Sequence, residues 1–386
     1  MKKQLLAFLC LSAVWAVGQD YDLMNRHLSK SETGATHSYY PVIDLQFETG
    51  FNAPPDAETA AEVFNNNTSY WSMTMRVSGQ SHGANVYDQL WRYPKMGVGY
   101  YAASFFNDST LGAPNALYAF IDVPITKNAD EKTWSFSYFV GAGLSYNFRP
   151  NDVELNPVNV VIGSYNNVYI DMAFYSHYKV SPSFDLSAGL GFTHFSNGAN
   201  NLPNRGMNLM GAKLVVRHHA LRKRPTYHKQ LDVPEWQTVH QFFVEQAFGS
   251  KQVEENTQNF TNTTTSVGYK YWFGYKGRVV GSLDLFYDES NNSGLGPRDI
   301  VPVENRGDAS NFYSVGVLGG YEAIYKRWSM FTGIGVYVWR NYKYTSSFYE
   351  RIGMRYRVWD GAYLGVALKA QTFAADYVEW SIGYNF

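Results

Sequence analysis

The sequence predicts an all-β fold, an antiparallel transmembrane β-barrel of about 16 strands (about 12 to 16). Three observations support this prediction. Apolar residues recur at every second position along most of the chain. Aromatic residues make up 17% of the 386 residues, as large a share as the charged residues, which is unusual for a soluble domain. After the N-terminal segment no run of about 18 apolar residues follows, so a helical membrane span is not expected.

The N-terminus has the features of a secretory signal peptide. Lys2 and Lys3 precede an apolar stretch, residues 5–17, and small residues surround Gly18. This order of a basic region, an apolar region and a small-residue site predicts a signal peptide over residues 1–18.

The mature chain is then expected to consist of an N-terminal periplasmic segment, residues 19–36, and a single outer-membrane barrel domain, residues 37–386. Loss of the two signal-peptide lysines shifts the formal net charge from −1 to −3, which argues against a nucleic-acid partner. The one cysteine, Cys10, lies in the signal peptide. No disulfide is therefore expected after export.

The strands are predicted from the period of two. Within 184–192 the even positions are Phe, Leu, Ala, Leu and Phe, while the odd positions are Asp, Ser, Gly and Gly. In the first half of the chain the predicted strands are 38–48, 70–79, 94–106, 115–125, 133–147, 163–177, 183–197 and 207–218. In the second half they are 237–248, 264–275, 278–289, 311–324, 328–341, 346–358, 361–371 and 376–386.

The C-terminal segment indicates the cellular location. Val378–Phe386 is apolar at every second position and ends in Phe. It resembles the terminal strand that the barrel assembly machinery recognises, so this machinery is an expected partner and the outer membrane of a Gram-negative bacterium the expected location. With an even strand number and both termini in the periplasm, the loop 197–207 lies on the outer side.

One segment combines residue types that nucleophilic catalysis requires. His194 and Ser196 are two positions apart at the end of a predicted strand, so their side chains share a face. They continue the apolar series of that strand, and Asn208 continues the apolar series of the returning strand. The three side chains are therefore expected together at the outer rim, facing lipid, provided that neither strand has a bulge.

This set of residues predicts a serine hydrolase. A histidine can take the proton from a serine, and the amide oxygen of Asn208 can hold that histidine in the required tautomer. A neutral amide is also less costly than a carboxylate beside hydrocarbon. A polar collar where the strands leave the membrane is the structural alternative.

Other charged groups are weaker candidates. Glu245 lies near the rim end of the following strand and could supply a carboxylate. Asp171 is expected on the lumen face. The basic run Arg217–Pro225 could meet phosphates, but a solvated connector on the periplasmic side is the simpler interpretation.

The motif resembles that of outer-membrane lipid A 3-O-deacylases. His194-Phe-Ser196-Asn197 and then Pro203-Asn204-Arg-Gly206 carry the resemblance. It implies that His194 is the base, that Ser196 is the nucleophile, and that two asparagines, Asn197 and Asn204, shape the oxyanion site. Those deacylases have a glutamate fourteen positions after the histidine, where this chain has Asn208.

The same residues are similar to the signature of outer-membrane phospholipase A, which is His-x-Ser-Asn-Gly with an asparagine at that distance. The matching residues are His194, Ser196, Asn197, Gly198 and Asn208. The calcium-binding acids of that enzyme have no clear counterpart in residues 199–207, so no metal is expected. More weakly, the run from Trp91–Pro94 through the motif, and Ala362–Phe386, resemble larger barrels grouped as acyloxyacyl hydrolases.

The sequence thus predicts an outer-membrane serine acyl-ester hydrolase that removes a fatty acyl chain from lipid A or lipopolysaccharide without a cofactor. The expected catalytic residues are Ser196, His194 and Asn208, and the expected substrate-binding residues are Asn197, Gly198 and Asn204. Two alternatives remain open. One is a phospholipase A acting on phospholipid, and the other is a non-catalytic barrel that serves as a pore or adhesin.

Overall fold

The computed structural model describes residues 39–83, 86–222, 224, 227, 235–293, 307–341, 346–372 and 374–386. The predicted signal peptide and periplasmic segment lie outside these residues. Eight strands form the first half of the fold. They are β1 (Tyr39–Asn52), β2 (Ser69–Ser81), β3 (Lys95–Ser104), β4 (Gly112–Pro124), β5 (Trp134–Phe148), β6 (Asn167–Lys179), β7 (Phe184–Ser196) and β8 (Met207–His219).

Eight more strands form the second half. They are β9 (Val239–Lys251), β10 (Phe260–Gly274), β11 (Gly277–Asp288), β12 (Tyr313–Tyr325), β13 (Trp328–Arg340), β14 (Phe348–Arg357), β15 (Ala362–Gln371) and β16 (Ala374–Asn385). All neighbouring strands are antiparallel. The all-β fold class and the number of strands predicted from the sequence are confirmed.

The strands close into two barrels of eight, β1–β8 and β9–β16. The sequence predicts a single barrel domain over residues 37–386, whereas the described strands close as two barrels. β8 returns to pair with β1, with Lys213 opposite Glu48, and β16 pairs with β9 in the same way, with Glu379 opposite Gly249. Alternation identifies each strand and its two faces, but it does not identify which strand completes a barrel.

The interior of the first barrel is filled by side chains. Lys213 is fully buried and bonds to Asp171, with Glu48 at 3.4 Å. Nearer the other end, Arg217 Nε lies 2.9 Å from Asp44 Oδ1. Barrels of eight strands enclose a space that is just wide enough for such side chains. The prediction that Asp171 faces the lumen is confirmed.

The second barrel has an interior of the same kind. Arg355 lies 2.8 Å from Glu245 and 3.3 Å from Glu322. Toward the other end, Asp376 lies between Lys251 at 2.8 Å and Lys369 at 2.6 Å. Each buried charge therefore has a partner of the opposite sign, as burial away from water requires.

The outer faces of both barrels are apolar and exposed. Leu190 on β7 is 72% exposed and Trp380 on β16 is 68% exposed. Exposed apolar side chains at every second position are the surface that a barrel presents to lipid. Among the described residues, no helix has the length and apolar character needed to cross a membrane.

Three short helices lie in the connections of the first barrel, α1 (Ala57–Glu62), α2 (Val86–Leu90) and α3 (Asp108–Leu111). α1, α3 and the long connection 149–166 lie at the end of the barrel where β7 ends and β8 begins. Apolar side chains of these connections, including Val63 and Ile162, are buried in one cluster with Phe195 of β7. These connections therefore form a packed cover over the end of the first barrel at which the predicted site lies.

Candidate active site

The register of β7 and β8 places the three predicted catalytic side chains together. His194 lies directly opposite Asn208. Thr193 and Phe195 are fully buried in the barrel interior, so the residues that alternate with them, His194 and Ser196, face outward. β7 and β8 pair without a register shift up to this end. The outward orientation therefore agrees with the alternation in the sequence.

His194 and Asn208 form a direct hydrogen bond, with 2.8 Å between Nδ1 and Oδ1. An amide oxygen only accepts hydrogen bonds, so Nδ1 of His194 is the donor. The lone pair of a neutral imidazole is then on Nε2. This is the tautomer that a histidine base needs.

Ser196 is 8% exposed, and its hydroxyl oxygen is held by Asn204. Nδ2 of Asn204 donates to Ser196 Oγ at 2.9 Å. The other end of the same amide, Oδ1, accepts from the backbone N–H of Asn197 at 3.2 Å. Asn204 therefore fixes the serine oxygen and places an N–H donor beside it.

Asn197 is held in turn by a side chain that the sequence analysis did not single out. Its Nδ2 donates to Ser164 Oγ at 2.9 Å and to the carbonyl of Asn201 at 2.8 Å. Ser164 Oγ also donates to Asn167 Oδ1 at 2.9 Å. Ser164 lies on the connection before β6, distant in sequence from the motif, so no local spacing could have identified it.

Two glycines of the motif have positive φ angles, which other residues rarely adopt. Gly198 has φ +64° and Gly206 has φ +74°. A Cβ atom on Gly206 would lie 3.0 Å from Cε1 of His194. The backbone N–H of Gly206 donates to the carbonyl of Val161 at 3.0 Å. Gly206 thus allows the loop to approach the imidazole closely.

Arg205 anchors the same loop to α1. Its guanidinium donates to Asp56, the N-cap of α1, and to Thr59 Oγ1 at 2.9 Å. The backbone N–H of Thr59 donates to Asp56 Oδ1 at 2.7 Å, and this hydrogen bond lowers the pKa of Asp56. The carboxylate is therefore kept charged for both the helix terminus and Arg205.

Glu245 is not part of this site. It belongs to β9 and is buried in the interior of the second barrel, where Arg351 lies at 3.2 Å and Arg355 at 2.8 Å. The sequence did not show on which face of its strand Glu245 lies, and β9 belongs to the second barrel. Within the described ranges, no group of three or more His, Cys, Asp or Glu side chains could hold a metal ion.

Comparison with known proteins gives one family. Residues 236–386 match the family described as acyloxyacyl hydrolase, C-terminal domain. This region covers the whole second barrel and begins after the motif of β7 and β8. A comparison with curated proteins finds no match.

Several solved structures resemble the chain. Neisserial surface protein A is 13% identical, with 46% of this chain and 96% of that chain covered and a TM-score of 0.28. A bacterial polysaccharide outer membrane secretin is 10% identical, with 91% and 99% covered and a TM-score of 0.19. A mutant porin of Rh. blastica is 9% identical, with 90% and 99% covered and a TM-score of 0.17. These scores are too low to support a functional argument.

The closed barrels, their apolar outer faces and the family match place the protein in the outer membrane of a Gram-negative bacterium, as predicted. The match also supports the resemblance to the lipid A deacylase family that the motif suggested. Over residues 236–386 the chain is similar to the C-terminal domain of acyloxyacyl hydrolases.

Proposed function

We propose that the first barrel is a serine acyl-ester hydrolase that removes a fatty acyl chain from lipid A or lipopolysaccharide at its lipid-facing rim. One observation carries the proposal. Asn208 orients His194 on the same outward face that presents Ser196, and Asn204 holds the serine oxygen. A base, an orienting group and a nucleophile at the end of one strand pair are the parts that nucleophilic acyl transfer needs.

The reaction begins when Nε2 of His194 accepts the proton of Ser196 as Oγ attacks the ester carbonyl. His194 then gives this proton to the departing alcohol oxygen, which leaves an acyl-enzyme. Water, deprotonated by His194, attacks the acyl-enzyme, and His194 returns this proton to Ser196 Oγ as the acyl–Oγ bond breaks and the fatty acid leaves. Asn208 keeps its hydrogen bond to Nδ1 throughout and stabilises the imidazolium less than a carboxylate would.

The oxyanion of the tetrahedral intermediate needs N–H donors close to Ser196. Nδ2 of Asn204 lies 2.9 Å from Ser196 Oγ, so it is well placed to turn to the oxygen that develops charge. The backbone N–H of Asn197 is bonded to Asn204 Oδ1 and orients that amide. We therefore assign Asn204 as the oxyanion donor and Asn197 as the residue that orients it, with Gly198 allowing the turn between them.

The surroundings of the site suit a lipid substrate. On the neighbouring strand Ile170 pairs with His194, and Val168 pairs with Ser196. On the other side, Met210 lies two positions beyond Asn208 and is exposed. An acyl chain can lie against this apolar surface while its ester reaches Ser196, so the substrate arrives by lateral diffusion and needs no cavity in the barrel.

Measurement of fatty acid release from purified lipid A tests the proposal. We expect Ser196→Ala to lower the rate by about 10⁴-fold or more. Ser176→Ala is the matched control because Ser176 also faces outward, on β6, at the other end of the strand. A Ser196→Ala variant that keeps its activity would overturn the assignment of the nucleophile.

A second candidate, a phospholipase A, is favoured by one observation. The direct bond between His194 and Asn208 is one that a Ser-His-Asn triad requires, and that triad is the phospholipase signature. Release of fatty acid from phospholipid, faster than from lipid A and lost in Ser196→Ala, would favour this candidate. Release from neither lipid by the unaltered protein would favour a non-catalytic barrel, although the filled interiors argue against a pore.

A further inference from the structure

A polar cavity of about 620 Å³ opens at the end of the first barrel that is opposite to the catalytic loop. Its wall is formed by the ends of the strands there, including Lys179 of β6, Asp185 of β7 and Arg217 of β8. Asp185 and Ser196 lie on the same strand, eleven residues apart, a separation of about 35 Å. This cavity is therefore separate from the proposed hydrolase site, and we refer to it as the cationic cavity.

Positive side chains outnumber negative ones on the wall. Among the described lining residues, six are Lys or Arg and two, Asp130 and Asp185, are Asp. The six cations are Arg92, Lys95, Lys127, Lys179, Arg217 and Arg224. Behind the wall, Asp122 bonds to Lys95 at 2.7 Å and Asp44 bonds to Arg217. Positive charge still exceeds negative charge when these two carboxylates are included.

Two of the cations are held by neutral groups rather than by carboxylates. Nζ of Lys179 donates to the carbonyls of Ala129 and Asp130, each at 2.7 Å. The guanidinium of Arg92 donates to the carbonyl of Ile125. A carbonyl orients a cation but does not neutralise it. The charge of these two side chains is therefore available to an anion.

Two histidines also line the wall. The ring nitrogens of His177 lie 2.7 Å from Ser137 Oγ and 2.7 Å from Ser187 Oγ. Nε2 of His219 lies 2.9 Å from Asp185 Oδ2, and because a carboxylate only accepts hydrogen bonds, this nitrogen carries the proton. His219 is 6% exposed, and its Nδ1 has no hydrogen-bond partner among the described residues. Nδ1 of the neutral ring is an acceptor, so a P–OH group that donated to it would satisfy a buried polar atom.

We propose that the cationic cavity binds a small phosphate-bearing anion. Its volume is in the range of small-molecule sites, and Arg and Lys side chains are the usual donors to phosphate oxygens. Three residues of the basic run Arg217–Pro225 line the cavity, namely Arg217, His219 and Arg224. Anion binding would therefore give these residues a function. The phosphate group could belong to a free anion or to the headgroup of a phospholipid in the same membrane.

Calorimetric titration of the full-length, detergent-solubilised protein with inorganic phosphate and pyrophosphate tests this proposal. We expect Lys179→Gln and Arg224→Gln each to weaken binding about tenfold, because each removes a charged donor. Arg222→Gln is the matched control. Arg222 lies on the same connection and is exposed, but it does not line the cavity.

The same titration in nanodiscs identifies the source of the phosphate. If pyrophosphate binds more weakly in phosphatidylglycerol nanodiscs than in phosphatidylcholine nanodiscs, the lipid headgroup competes for the cavity and is its occupant. If pyrophosphate binds equally in both, the occupant is a free anion. Absence of binding to phosphate, pyrophosphate and phosphatidylglycerol, or equal weakening by Arg222→Gln, would overturn the proposal. Ser196→Ala should leave this binding unchanged, so the outcome is independent of the proposed hydrolase.

Discussion

The two barrels have the same architecture but differ at the outward face of their last strand pair. In the first barrel, β7 and β8 place His194 opposite Asn208. In the second barrel, β15 and β16 place Leu368 opposite Val378. The polar pair is supported by a packed loop, whereas the apolar pair continues the lipid-facing surface. Both barrels share the strand architecture and an apolar outer face, and the first adds a few polar side chains at one rim.

The interiors of the two barrels, in contrast, are alike. Both contain paired charges, such as Lys213 with Asp171 in the first and Arg355 with Glu245 in the second. Buried charges in pairs are required wherever a narrow barrel is filled by polar side chains. The barrels therefore share paired interior charges and differ on the outward face of the last strand pair. Four predictions test this comparison.

The largest effect is expected when the outward face of β7 is made like that of β15. His194→Leu should lower fatty acid release by about 10⁴-fold or more, because Ser196 loses its base. The barrel should stay folded, since leucine is favoured beside lipid. The reciprocal change, Leu368→His, should create no activity in a Ser196→Ala background. Substantial activity in His194→Leu would contradict the comparison.

Removal of a buried cation should destabilise both barrels. Lys213→Met leaves Glu48 and Asp171 without their shared partner, whereas Arg355→Met leaves Glu245 with Arg351 at 3.2 Å. Breaking a buried ion pair costs about 3–5 kcal/mol, so Lys213→Met should lower the free energy of unfolding by that amount in denaturant titrations, and Arg355→Met should lower it by less. Arg205→Met, at an exposed ion pair, should change it little. An Arg355→Met variant as stable as the unaltered protein would show that the two interiors differ after all.

The oxyanion donor is predicted to matter for rate and not for binding. Asn204→Ala should lower kcat by about 10²–10³-fold with little change in KM, because the donor acts on charge that develops in the transition state. Measurement of both constants with a soluble ester substrate checks this. A change in KM alone would assign Asn204 to substrate binding instead.

The smallest effect is expected from Gly206→Ala. The added Cβ would lie 3.0 Å from Cε1 of His194 and 3.2 Å from the carbonyl of Phe195, at a φ of +74°. Displacement of the imidazole should lower fatty acid release about tenfold, since small misplacements of catalytic groups are costly. Gly274→Ala in the second barrel, where the added atom would meet nothing within 4 Å, should be without effect.

Much of the candidate site could be predicted because it depends on one strand pair. The outward orientation of His194 and Ser196 follows from the period of a strand, and the short loop brings Asn208 back to the same face. The side chains that hold these residues in place could not be predicted in this way. Ser164 reaches Asn197 from a different connection, and the position of Asn204 on Ser196 depends on how the loop folds.

The sequence by itself determined the sixteen strands and which face of each is apolar, because side-chain direction in a strand alternates locally. Only the tertiary structure decided that β8 returns to β1, so that the strands close as two barrels of eight. It also decided that Glu245 lies in the interior of the second barrel and that Arg217, His219 and Arg224 line a cavity. Closure and cavity formation depend on pairing between segments far apart in the chain, and local periodicity contains no information about such pairing.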